Sequence, residues 1–99
     1  MVEYRVMPDY MSTGIQKKQN GGRWLYIDPE TEGFSTEILA LLQIAQKAFD
    51  STILKDDYEF PWTSAIQKEE YELLCKLICS MIQNSKPFVE CTTEFYWED

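Results

Sequence analysis

The chain has 99 residues, 44% of them hydrophobic and 14% aromatic, with a formal net charge of −8 from 9 basic and 17 acidic side chains. That length makes one domain with one two-layer core and leaves no room for a separate cofactor domain, and the apolar content is that of a folding chain rather than a disordered one. The absence of histidine removes the commonest general base, the Ser–His and Cys–His nucleophile pairs and the commonest metal ligand.

The N-terminal Val2, Tyr4 and Val6 alternate with Glu3, Arg5 and Met7, the pattern of a half-buried strand. Pro8-Asp9 ends it, and Met11-Ser12-Thr13-Gly14 is of loop type. A short strand at Ile15–Lys18 and a better one at Arg23–Ile27 flank Asn20-Gly21, a hairpin-turn dipeptide because both central positions must take positive φ. Trp24 and Tyr26 then point to one face, Leu25 and Ile27 to the other. After a turn-rich acidic loop, Asp28 to Gly33, Ser35 is a credible N-cap with Glu37 in the first turn. Ile38, Leu41, Leu42, Ala45 and Phe49 follow at helical spacing, giving a helix over roughly Thr36 to Ser51. Phe34 and Leu39 have the spacing of a hydrophobic staple.

The clearest helix lies between Thr63 and Pro87. Ser64 and Gln67 have capping-box spacing, Pro61 precedes the start, and Pro87 blocks propagation past the end. Tyr71, Leu74, Ile78 and Met81 recur at steps of three and four, and Leu73, Leu77 and Ile82 widen the stripe. The final segment alternates again: Val89, Cys91, Thr93, Phe95 and Trp97 against Phe88, Glu90, Thr92, Glu94 and Tyr96. The expected fold class is α+β: a small antiparallel sheet of the N-terminal strand, the hairpin and the C-terminal strand, with two helices packed on one face. Strand order stays open, with the first and last strands as candidate neighbours.

No apolar run approaches the roughly 18–20 residues of a membrane span. The opening MVEYRVMPDY lacks the basic and apolar regions of a signal peptide, so a cytoplasmic protein is expected. Cys75, Cys79 and Cys91 are then expected as reduced thiols. Three soft ligands fall short of the four of a structural zinc site, and Cys75 and Cys79 read as small apolar groups on a core helix. Glu69, Glu70 and Glu72 cluster near a helix N-terminus, where acids favour the dipole. Asp56, Asp57 and Glu59 lack the spacing of a calcium loop. No phosphate-binding glycine pattern is present. The reading is therefore a non-enzymatic chain without cofactor or metal.

Charge is unevenly placed. Residues 1–27 carry Arg5, Lys17, Lys18 and Arg23 against Glu3 and Asp9, or +2, whereas residues 28–99 carry five lysines against 15 acids, or −10. Such a field repels a phosphate backbone and attracts a basic protein; it also serves solubility alone. Acids and aromatics interleave at Asp56–Trp62 and again at Glu94–Asp99. Tyrosine and tryptophan supply contact area at low entropic cost, and neighbouring carboxylates pair with a partner's arginine or lysine. The structural alternative is that Phe60, Trp62, Phe95 and Trp97 complete the core while the acids face water.

The run Tyr4–Ile15, YRVMPDYMSTGI, resembles the opening of a broad group of small bacterial proteins. In that group a strand leads through a Met-Pro-Asp-Tyr turn to a small-residue, glycine and apolar step, often followed by tryptophan. Gln16 stands at that last position here. The overall profile is similar to toxin-immunity proteins, including those of contact-dependent growth inhibition systems, which are small, acidic, cytosolic and non-catalytic. That similarity is one of type, and it implies neutralisation by binding rather than any particular binding residue. The expected function is an immunity protein for a cognate bacterial toxin, a basic nuclease, with Asp56, Asp57, Glu59, Glu94, Tyr96, Glu98 and Asp99 as partner contacts. The alternative is a small regulatory or adaptor domain that self-associates through a sheet edge.

Overall fold

The computed structural model describes residues 1–8, 12–50 and 68–95. Three strands come first: β1 (Val2–Pro8), β2 (Thr13–Gln19) and β3 (Leu25–Tyr26). Two helices follow, α1 (Thr36–Asp50) and α2 (Lys68–Ser85), and the last strand is β4 (Val89–Thr93). The sheet order is β3-β2-β1-β4, and both helices pack on one face of it. The α+β class and the adjacency of the first and last strands follow the sequence.

The sheet is mixed, not antiparallel. β1–β2 and β2–β3 are antiparallel, but β4 runs parallel to β1, with Val2 opposite Val89 and Tyr4 opposite Cys91. The helices decide this direction. From Ile27, bonded to Ile15, the chain runs back across the sheet to Phe34, which packs edge-on against Tyr4 with ring centroids 5.5 Å apart. α1 then climbs to Thr13, whose hydroxyl reaches the Ala45 carbonyl at 3.1 Å. α2 descends from the same end, where Tyr71 meets Thr13. Two antiparallel helices of 15 and 18 residues return the chain to the end where β1 begins, so the strand that follows must run with β1.

Local chemistry accounts for the boundaries. Asn20 (φ 48) and Gly21 (φ 77) both take left-handed backbone, and the Gly22 N–H closes the turn on the Gln19 carbonyl at 2.8 Å. Lys17 pairs with Leu25, one residue further than that turn alone dictates, so one extra residue bulges on the β3 side. This leaves β3 with two residues rather than the five from Arg23 to Ile27. β2 is longer than expected, because β1 pairs with it along seven residues. Thr13 and Gly14 are therefore strand, not loop.

Ser35 caps α1, accepting the Ile38 N–H at 3.3 Å. The Ile82 carbonyl accepts the Lys86 N–H at 2.9 Å, and α2 stops just before Pro87. The expected capping box at Ser64 and Gln67, with Pro61 ahead of it, lies outside the described residues. The core joins Tyr4, Val6 and Ile15 of the sheet to Ile38, Leu42 and Ala45 of α1 and Tyr71, Cys75, Ile78 and Ile82 of α2. The α2 stripe is thus narrower than the sequence reading and centred on Cys75. Leu73 and Leu77, 64% and 48% exposed, stand on the side turned from sheet and core. No described helix is long and apolar enough to cross a membrane.

Candidate functional site

Alternation along the strands sends Val2, Tyr4, Val6, Ile15 and Val89 toward the helices, and Glu3, Arg5, Met7, Gln16, Lys18, Glu90, Thr92 and Glu94 to the other face. Tyr26 pairs with Gln16 and joins that face. No described helix covers it. This open face is where the described residues bring acids, cations and aromatics together.

Arg5 is its centre. Its Nε donates to Gln16 Oε1 at 2.6 Å and an Nη donates to Glu94 Oε2 at 2.9 Å. Its guanidinium lies 4.3 Å from the centroid of the Trp24 ring. The fork, the amide and the indole hold one another, which leaves Gln16 only 9% exposed although it sits on the open side. Lys18 Nζ lies 5.8 Å from the same indole. Glu3 lies opposite Lys18 in one direction and opposite Glu90 in the other. Like charges in direct cross-strand register destabilise a sheet, so Glu3 and Glu90 form an acidic spot that a cation relieves.

A second polar cluster sits at the rim of the helix face. Glu32 accepts the Tyr4 hydroxyl at 2.9 Å and Lys17 Nζ at 3.1 Å on the same oxygen. Burial, and then the Glu32 carboxylate, push the Tyr4 hydroxyl well above its ordinary value. Lys17 and Glu32 border a shallow groove of about 380 Å³ lined also by Arg23, Leu25, Tyr26 and Ile27. The three thiols are all free. Cys75 is in the core, where burial pushes it up to about 12, whereas Cys79 and Cys91 are partly exposed at the seam between α2 and β4, and burial raises both. Among the described residues, no three or more carboxylates or thiols are placed to hold a metal ion.

Of the contact residues chosen from sequence, Glu94 is described: it lies on the open face, 59% exposed at its side chain and paired with Arg5. Asp56, Asp57, Glu59, Tyr96, Glu98 and Asp99 lie outside the described residues. Sequence reasoning missed Arg5, Gln16 and Trp24 as a unit. Their parity was visible in the alternation, but their convergence requires β1 to lie between β2 and β4. No protein family, curated protein or solved structure matches the chain.

Proposed function

We propose that this chain is an immunity protein, cytoplasmic and non-catalytic, that binds and neutralises a cognate bacterial toxin of basic character, a nuclease. The observation that carries this reading is the charge of residues 28–99, five lysines against 15 acids. A protein of that charge is drawn to a basic partner and covers a cleft built for nucleic acid, while being repelled by nucleic acid itself. The open face supports the reading with the aromatic area of Trp24 and Tyr26 beside the carboxylates of Glu3, Glu90 and Glu94. Glu94 serves in the contact with Asp56, Asp57, Glu59, Tyr96, Glu98 and Asp99. Trp24 and Gln16 keep Arg5 in place when Glu94 turns to a partner cation.

The test is capture from the source cell at low and high salt with the purified chain as bait, followed by an activity assay of whatever is captured. The expected result is one basic protein, lost at high salt, whose nuclease activity the chain suppresses. Binding that ignores both salt and charge reversal at Asp56, Asp57, Glu59 and Glu94 would overturn the proposed interface.

A second reading, a self-associating adaptor domain, draws on the exposed Ile44, Leu73 and Leu77 on the helices and on the short edge strand β3. It predicts oligomers that grow with concentration and persist in high salt.

A further inference from the structure

Cys79 and Cys91 are 12 positions apart in sequence, and the fold brings both to the seam between α2 and β4. Cys79 sits on the flank of α2 that turns toward β4, one turn before Gln83. The Gln83 side-chain carbonyl accepts the Cys91 backbone N–H at 2.8 Å, which fixes β4 against this flank of the helix. Cys91 pairs with Tyr4 in the sheet, so its side chain turns toward the helices; both thiols pack against the core at this seam, and both are partly exposed, unlike Cys75. Cys75 is turned into the core with Tyr71 and Ile78, so the helical pair Cys75–Cys79 does not compete.

We propose that Cys79 and Cys91 form a dithiol modification site that a low-molecular-weight disulfide oxidises to an intramolecular disulfide, pinning β4 to α2. A disulfide needs Cβ atoms about 3.5–4.5 Å apart, and the Gln83–Cys91 bond holds β4 close to this flank of α2. Attack by Cys79 first or by Cys91 first gives the same bridge.

The Cys79 thiolate, its proton lost to solvent, attacks one sulfur of the oxidant. The oxidant's S–S bond breaks and one thiolate leaves, taking up a proton. Cys91 then loses its proton and attacks the Cys79 sulfur of the mixed disulfide, and the second small thiolate leaves and is protonated. The two protein thiols together give up two electrons and two protons, and the oxidant becomes two thiols. A bridge here joins elements already packed on one another, so the oxidised chain keeps the fold. The new link closes the loop through Ser85 to Val89 and restricts the unfolded chain.

The experiment treats the native chain with oxidised glutathione and reads mass, thiol count and peptide map. The expected product has lost two hydrogen atoms, carries no glutathione, retains one titratable thiol of the original three, and joins Cys79 to Cys91. Its thermal midpoint rises and returns to the starting value with dithiothreitol. Cys75→Ala gives the same product, whereas Cys79→Ser and Cys91→Ser form no internal bridge. A native chain that keeps all three thiols, a bridge that includes Cys75, or a bridge between two chains overturns the proposal. The outcome is independent of whether the chain neutralises a toxin.

Discussion

The side chain of Gln83 bonds the backbone on both sides of Glu90, accepting the Cys91 N–H at 2.8 Å and donating to the Val89 carbonyl. β4 bonds β1 through alternate residues, with the Glu94 N–H on the Val6 carbonyl at 3.3 Å. Val89 and Cys91 therefore turn their polar groups outward, toward the position a further strand would occupy. Gln83 meets them as a residue of a neighbouring parallel strand would. An open strand edge templates association, and here one carboxamide occupies part of it.

Removing that carboxamide tests its role. Gln83→Ala leaves two half-buried backbone groups without their partner and is expected to cost about 1–3 kcal/mol. Urea unfolding measures the loss, and amide exchange at Cys91 should speed up in the same variant. Unchanged exchange would mean that the edge is held by something other than Gln83.

The Arg5 cluster separates a surface ion pair from a packed one. Glu94 is 59% exposed at its side chain, so Glu94→Gln should change stability by less than about 1 kcal/mol. Arg5→Ala also strips the stack from Trp24 and the partner from Gln16, and is expected to cost about 1–3 kcal/mol. Tryptophan emission should shift in Arg5→Ala and not in Glu94→Gln, and the shift should vanish when Trp24 is replaced by Phe. Equal losses in the two variants would place the energy in the ion pair instead.

Thr13 ties the sheet to both helices. Its single hydroxyl proton goes to the Ala45 carbonyl at 3.1 Å, so at the 2.7 Å contact the Tyr71 hydroxyl is the donor. Tyr71→Phe removes the Thr13–Tyr71 hydrogen bond while Thr13 keeps its own acceptor, an expected cost of about 1 kcal/mol for that bond. Thr13→Val removes both bonds and should cost more. Thermal unfolding of the two variants decides the order, and a Thr13→Val chain no less stable than the native one would show that this hydroxyl does not tie the sheet to the helices.

Alkaline pH should destabilise the fold. Burial pushes the Cys75 thiol from its ordinary 9.0 up to about 12, and it raises Cys79, Cys91 and Tyr4 as well. Above the ordinary value the unfolded chain has released these protons and the folded chain still holds them. The unfolded state then binds fewer protons, and stability falls as pH rises. The decline begins near pH 9.0 for the thiols and, for Cys75, ends near about 12. Each group that titrates only in the unfolded chain contributes a slope of up to about 1.4 kcal/mol per pH unit. Urea midpoints between about pH 8 and about pH 11 should fall, and less steeply in Cys75→Ala. A flat profile would show that these thiols are not buried.

Much of the fold was legible in the sequence because it is periodic. The alternation of Val2, Tyr4 and Val6 with Glu3 and Arg5 marked both the strand and its two faces. Ser35 ahead of Ile38 and Leu42 marked the start of α1, and Asn20-Gly21 marked a turn with two left-handed residues. Side-chain periods of two and 3.6, turn chemistry and caps are local properties, and local sequence carries them. The candidate surface was legible only in part. Glu94 was chosen for its neighbours in the chain, while its observed partner Arg5 lies 89 positions away.

Three features had no local signal. The parallel direction of β4 depends on how two helices of matched length carry the chain back to the start of β1. The meeting of Arg5 with Gln16, Trp24 and Glu94 depends on β1 standing between β2 and β4. The approach of Cys79 to Cys91 depends on which flank of α2 faces the sheet edge. Each is a relation between elements distant in sequence, settled when the apolar faces close on one another, and a pattern that repeats every two or four residues does not encode which element becomes whose neighbour.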